Sequence, residues 1–192
     1  MIERFEAAAV NAAGTVLFVA QLKGGGQGDA FKVRRVTDGQ VAFLKTIKAR
    51  TDPERRARFS REANAYDTFR VPGVPALIES NAHRHKHATV EPYIATEFIR
   101  GPTLRTWRKA QSRVDLPVAA VIARVLLSTL RDCHRAGCVH RDVKPDNIIL
   151  ADADPTKVAL LDFGLNFHDA PDIDFRTEHW QEIGNRFLRL PE

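Results

Sequence analysis

His140-Arg141-Asp142-Val143-Lys144-Pro145-Asp146-Asn147, followed fifteen residues after the asparagine by Asp162-Phe163-Gly164, is the stretch that decides the fold. A carboxylate, a lysine and an asparagine at intervals of two and three residues can converge from one loop. Asp162 closes an apolar strand expected over 157–161 and adds a second acidic oxygen. Mg²⁺ takes few protein oxygens together with substrate phosphates, and a pair such as Asn147 and Asp162 meets that need. A further short strand is expected over 148–150. Upstream, Val118, Val121, Ile122, Val125, Leu126 and Leu130 follow the i, i+3, i+4, i+7 rule and predict a long helix over 117–135. A shorter helix suits 103–110.

The first half reads as strands over 15–22, 29–36 and 40–47, with Thr37-Asp38-Gly39 a hairpin turn between the last two. Gly24-Gly25-Gly26-Gln27-Gly28 is a loop by composition, and such glycines let backbone N–H groups approach phosphate oxygens. A flexible turn without a ligand has the same composition. Asp52 is a good N-cap and Pro53 a good first residue for a helix to about residue 69, before Val71-Pro72-Gly73. Two more strands are expected over 76–80 and 93–98. Gly101-Pro102 then breaks the chain and is taken as a lobe boundary. Lys45 closes a buried-looking strand, and Glu62 sits in the middle of the helix. A Lys–Glu pair between those elements would hold the ammonium toward a phosphate, although each residue alone reads as surface charge. Residues 166–192 read as a long loop.

With 44% hydrophobic residues among 192, the chain has enough apolar surface for a core, which excludes a disordered or collagen-like class. No apolar run approaches the roughly 20 residues of a membrane span, and the N-terminus lacks the layout of a secretory signal. Two cysteines make no disulfide framework and suit a reducing, cytoplasmic setting. The net charge of +5 is partly local, with Arg50, Arg55, Arg56, Arg58 and Arg61 close together. No aromatic residues are interleaved at stacking intervals there, so the run reads as a solvated helix face, with no specific nucleic acid and no membrane as partner. The histidines of 83–87 read as a polar loop, and Cys133 to His140 matches no common zinc spacing.

The sequence resembles the serine/threonine branch of the eukaryotic-type protein kinases. The pattern H-R-D-x-K-P-x-N followed by D-F-G is matched in full, in order and at the usual spacing. The resemblance covers roughly residues 15–192. It implies an α+β, two-lobed fold: an N-terminal extension over 1–14, an N-lobe of antiparallel sheet plus helix C over 15–100, and a mostly helical, incomplete C-lobe over 101–192. It implies ATP and Mg²⁺ as cofactors and protein substrates as partners. Gly25 and Gly28 would cover the phosphates, Lys45 would bind them, and Glu62 would hold Lys45. Thr96 would be the gatekeeper, with the backbones of Glu97 and Ile99 bonding adenine. Leu22, Ala30, Ala42 and Ile149 would sandwich the base. Asp142 would accept the substrate hydroxyl proton, Lys144 would steady the γ-phosphate, and Asn147 and Asp162 would hold Mg²⁺. Lys144 favours Ser/Thr over tyrosine, and the whole loop favours a protein over a small-molecule acceptor.

Arg141 commonly meets a phosphorylated activation loop in this family, and Thr177 is the Ser/Thr of the corresponding segment here. The chain departs from the pattern at three places. Lys23 falls at the first loop glycine, Asn185 where threonine is usual, and Leu190 where the closing motif has alanine. The family's later C-lobe helices would follow Glu192; without them or a partner, apolar surface under the 117–135 helix is expected to be exposed. The rival readings are a nucleotide-binding regulatory module without catalysis and a small-molecule phosphotransferase.

Overall fold

The computed structural model describes residues 16–22, 28–35, 38–47, 52–68, 70–163 and 167–168. The chain divides into two compact units: Met1–Ala63 with Ala76–Phe98, and Asn64–Pro75 with Ile99–Glu192.

The first unit is built on a five-stranded antiparallel sheet of β1 (Val16–Leu22), β2 (Gly28–Arg35), β3 (Val41–Ile47), β4 (Leu77–Ser80) and β5 (Tyr93–Glu97), in the order β1-β2-β3-β5-β4. Successive side chains of a strand point to opposite faces, so register decides which residues meet. Phe31 pairs with Leu44 and Val33 with Ala42, and Leu44 pairs with Ala95. These five form the buried cluster of this unit, with Ile78 and Tyr93 packed against it. The β2–β3 connection is closed by Gly39 at φ 73°, whose N–H donates to Arg35 O at 2.9 Å. Asp38 fastens it, pairing with the Arg35 guanidinium at 2.7 Å and accepting the Gln40 N–H at 3.0 Å.

Helix α1 (Pro53–Thr68) starts as its first residues dictate. Asp52 Oδ1 accepts the N–H groups of Glu54 and Arg55 at 3.0 and 3.2 Å, satisfying two donors that have no partner within the helix. Its residues through Ala63 belong to the first unit and those from Asn64 to the second.

In the second unit, Thr103 caps α2 (Leu104–Ala110) by accepting the Thr106 N–H at 3.1 Å. Helix α3 (Leu116–Arg135) buries Ile122, Thr129 and Cys133, spaced by seven and four residues, and packs against β6 (Cys138–Val139) and β8 (Val158–Leu160). Leu116 and Leu127 remain exposed on it. Among the described residues, no helix is long and apolar enough to cross a membrane. Strand β7 (Ile148–Leu150) pairs with β8, and Leu150 and Leu160 are fully buried. The expectation of a long loop over 166–192 is corrected at Phe167–His168, which form β9 and pair antiparallel with β6, and its remaining residues lie outside the described ones. Two-residue strands carry no period, so only tertiary pairing reveals them.

Gly101 runs beside β7. The N–H of Leu150 bonds Pro102 O at 3.0 Å, and that of Asp152 bonds Arg100 O at 2.7 Å. Gly101 has φ 154°, and a Cβ there would lie 2.0 Å from Leu150 O. Gly101→Ala is therefore expected to cost about 1–3 kcal/mol of unfolding free energy, read from the urea midpoint. A midpoint unchanged from the wild type would contradict this packing.

Candidate functional site

Lys45 and Glu62, singled out at opposite ends of a 17-residue interval, meet within the first unit. Lys45 Nζ donates to both carboxylate oxygens, at 2.7 and 2.9 Å. The two side chains are 14% and 3% exposed, so this pair is largely desolvated. Losing one partner of such a pair leaves an uncompensated charge and costs far more than losing a surface pair.

The register sorts the other residues expected near a base. Ala30 pairs with both Leu22 and Lys45, which places these three on one face. Ala42 is not with them. It pairs with Val33 and is buried in the core cluster on the opposite face, because it stands three residues from Lys45 rather than two. Phe43 takes the place expected for it on the Lys45 face, and pairs with Thr96 across the strands. Period-two counting from Lys45 would have found Phe43. Thr96 is 4% exposed. The N–H of Glu97 donates to Ala76 O at 2.8 Å, so any bond to a base would fall to its carbonyl. Lys32 Nζ sits 4.7 Å over the Phe98 ring. Gly25 and Thr177 lie outside the described residues. Gly28 opens β2, where a Cβ would be 2.2 Å from Thr46 O, so close strand approach already requires glycine there.

The loop between β6 and β7 lies in the second unit. Asp142 Oδ2 accepts the Lys144 ammonium at 2.5 Å and the Asn147 amide at 3.0 Å, and Asn147 Nδ2 also donates to Asp142 O at 2.9 Å. Three of the residues singled out from one loop thus converge on one carboxylate. With its NH₂ held by Asp142, Asn147 keeps its amide oxygen as a hard acceptor, which fits a Mg²⁺ ligand. Among the described residues, no group of three or more His, Cys, Asp or Glu side chains could hold a metal by itself. Ile149 lies in β7, bridged to Thr103. Arg105 of α2 ties the loop from outside, its N–H bonding Pro145 O at 3.1 Å and its guanidinium Asp146 at 2.6 Å. The guanidinium holds the Asp146 carboxyl below its usual range.

Asp162 follows β8, and its backbone is tied to the same loop. Leu161 N–H donates to Asn147 O at 2.8 Å. His140, 1% exposed, donates from Nε2 to Leu161 O at 2.9 Å and accepts the Asp142 N–H at Nδ1, 3.2 Å away. The Asp162 N–H donates to Tyr66 Oη at 3.0 Å. Phe163 is fully buried between the rings of Tyr66 and His140, with centroids 5.3 and 4.7 Å away, both edge to face. Arg141 and Asp162 adopt φ of 63° and 64°, a region non-glycine residues rarely enter and which clusters at functional sites. Neither Tyr66 nor the left-handed turns were legible in the sequence.

Arg56 was also missed. The arginine run was expected to be a solvated helix face, and Arg55 and Arg58 are indeed half-exposed or nearly so. Arg56 is 3% exposed and bonded to three backbone carbonyls. It shares its helix phase with Phe59, Ser60 and Ala63, all buried, and that phase was the available signal.

The model of the protein kinase domain family matches residues 18–178. A probable serine/threonine-protein kinase of Streptomyces coelicolor is 31% identical over 144 residues, covering 73% of this chain and 21% of that protein. Serine/threonine-protein kinase PknL of Mycobacterium bovis is 34% identical over 154 residues, 78% of this chain and 36% of that protein. PknE of the same organism is 28% identical over 170 residues, 88% and 28% of the two chains. The chain therefore spans between a fifth and about a third of the length of these relatives.

His140 yields a pH dependence. Burial pushes its pKa below the ordinary 6.5, outweighing the Leu161 bond and the nearby Asp142 and Asp162. A proton on Nδ1 would also face the Asp142 N–H. Below pH 6.5 the unfolded chain gains this proton while the folded one does not, so stability is full above that pH and falls as the pH drops toward the depressed folded value. The slope reaches at most about 1.4 kcal/mol per pH unit. Urea midpoints at pH 7.5 and 5.5 are expected to differ less in His140→Leu than in the wild type; equal differences would refute this linkage.

Proposed function

The chain belongs to the protein kinase domain family, and from that premise we propose that it transfers the γ-phosphoryl group of ATP to serine or threonine hydroxyls of protein substrates. The observation that carries the reading is the convergence of Lys144 and Asn147 on Asp142, in a loop bonded through Leu161 to the backbone beside Asp162. Phosphoryl transfer needs little covalent help from the protein; it needs positioning and neutralisation of charge. The residues supply both.

In this reading Lys45, held by Glu62, binds the α- and β-phosphates. Lys144 steadies the γ-phosphate. Asp142 accepts the proton of the attacking hydroxyl, and Asn147 and Asp162 hold Mg²⁺, which neutralises phosphate charge when bound. Leu22, Ala30 and Phe43 present one face of the sheet toward the base, with Ile149 as a further apolar contact. The Glu97 carbonyl and the Ile99 backbone bond the base's polar edge. Gly25 and Gly28 cover the phosphates. Lys144 supports a Ser/Thr acceptor, as does the likeness to relatives named as serine/threonine-protein kinases. Two buried thiols outside any disulfide, Cys133 and Cys138, suit a reducing compartment such as the cytoplasm. Burial pushes the Cys133 thiol up to about 11, which keeps it inert.

The test is transfer of radiolabel from γ-labelled ATP to a generic protein substrate in the presence of Mg²⁺. Asp142→Asn, which keeps shape but removes the proton acceptor, is expected to lower kcat by about 10²–10⁴-fold. Nucleotide binding without transfer in the wild type would replace this reading with that of a regulatory module. Label appearing on metabolites but not on protein would replace it with a small-molecule phosphotransferase.

A further inference from the structure

A buried guanidinium is expensive to maintain unless every donor it presents finds an acceptor. Arg56 meets that condition in an unusual way. Nε donates to His85 O at 2.5 Å, Nη2 to His87 O at 2.7 Å and Nη1 to Val90 O at 3.0 Å. All three acceptors belong to the connection between β4 and β5, which is otherwise a series of tight turns. His85 N–H bonds Ala82 O, His87 N–H bonds Arg84 O, and Val90 N–H bonds His87 O, at 3.1, 3.0 and 3.0 Å. The turns aim the carbonyls of residues 85, 87 and 90 at one point, and the planar fork of the arginine fills it.

Glu62 stands six positions after Arg56. At 3.6 residues per turn they lie about 120° apart around the axis of α1 and about 9 Å apart along it. Arg56 bonds the β4–β5 connection, while Glu62 bonds Lys45 of β3. A helix gripped on one side alone can roll about its axis. One gripped at two directions this far apart cannot. Ala57, Phe59 and Ala63 already supply apolar burial, but apolar contacts have no direction. The arginine's bonds do.

We propose that Arg56 is a positioning residue: by locking α1 to the β4–β5 connection it fixes the rotation of the helix, and so holds Glu62 on Lys45. The inference rests on the reading of Lys45 as a phosphate-binding residue for its functional meaning, but its test does not. The lock sets how much of the time the Lys45 amine is paired. Acylation of that amine therefore reports on it directly.

The experiment treats the intact folded chain with an N-hydroxysuccinimide acetate reagent, without nucleotide, and follows each lysine by peptide mass spectrometry. Urea midpoints are measured alongside, and rates are corrected for the fraction unfolded. Glu62→Gln sets the rate for a Lys45 that has lost its ion pair with Glu62. Arg56→Met, which keeps length and removes all donors, is expected to raise Lys45 acylation at least fivefold toward that rate, with Lys109 and Lys157 unchanged. Arg56→Lys, which keeps the charge but not the fork, is expected to fall between, and it carries the test alone should Arg56→Met not fold. If the variants lower the urea midpoint yet Lys45 reacts at the wild-type rate, Arg56 is only a packing element and the proposal fails. Absence of phosphoryl transfer would overturn the proposed function and leave this result standing; an unchanged acylation rate would do the reverse.

Discussion

The second unit depends on one imidazole. His140 is buried and spans two main-chain groups that belong to different segments, the N–H of Asp142 and the carbonyl of Leu161. Only the neutral ring with its proton on Nε2 satisfies both, since one partner is a donor and the other an acceptor. That single group sets the path of the chain at Asp142 and, through Leu161, at Asp162. The left-handed turns at Arg141 and Asp162 are immediate neighbours of these bonds. A backbone held in such a region must be over-determined by its surroundings. Here the fixing bonds are those of His140, the Asn147–Leu161 bond and the Tyr66 hydroxyl on the Asp162 N–H.

Magnitudes separate the ion pairs that matter from those that decorate. Arg105–Asp146 has good distance, but its side chains are 50% and 44% exposed, and such pairs contribute roughly 0–1 kcal/mol. Lys45–Glu62 is 14% and 3% exposed, and breaking a buried pair costs about 3–5 kcal/mol. Burial of the second kind adds little net stability compared with an apolar pair of the same shape. Its persistence is better explained by what an oriented ammonium does than by what it stabilises. Arg105 still acts on the loop, but chiefly through its backbone bond to Pro145.

Much of this was readable from residue order. The five strands of the sheet, β7, β8, the Asp52-Pro53 start of α1 and the span of α3 follow from period, caps and breakers, which are local signals. The convergence of Asp142, Lys144 and Asn147 was legible because one short loop holds all three. What escaped was non-local. Ala42 was placed beside the base from its resemblance to a motif, and the alternation of β3 sends it to the core, with Phe43 on the Lys45 face instead. Arg56 was grouped with its neighbours by charge, although its phase with Phe59 and Ala63 marked it as buried. The acceptors that make its burial tolerable lie about thirty residues away. The pairing of β6 with β9 and the role of Tyr66 likewise depend on contacts that no local pattern encodes.

The arrangement around Asp142 also constrains how the proposed chemistry is divided. Both Lys144 and Asn147 approach the same oxygen, Oδ2. Two donors on one oxygen fix the plane of the carboxylate, and they direct proton acceptance to Oδ1. A loose transition state for phosphoryl transfer draws little on the strength of the base and much on where the hydroxyl is held. A carboxylate locked in orientation by two neighbours suits that demand better than a free and more mobile one. On this view Lys144 has two tasks that compete for one ammonium, orienting Asp142 and meeting phosphate. The first is present in the protein alone, so binding of the triphosphate must share or displace it. The Asn147 bonds to Asp142 O and Oδ2 then become the ones that keep the carboxylate in place during the reaction.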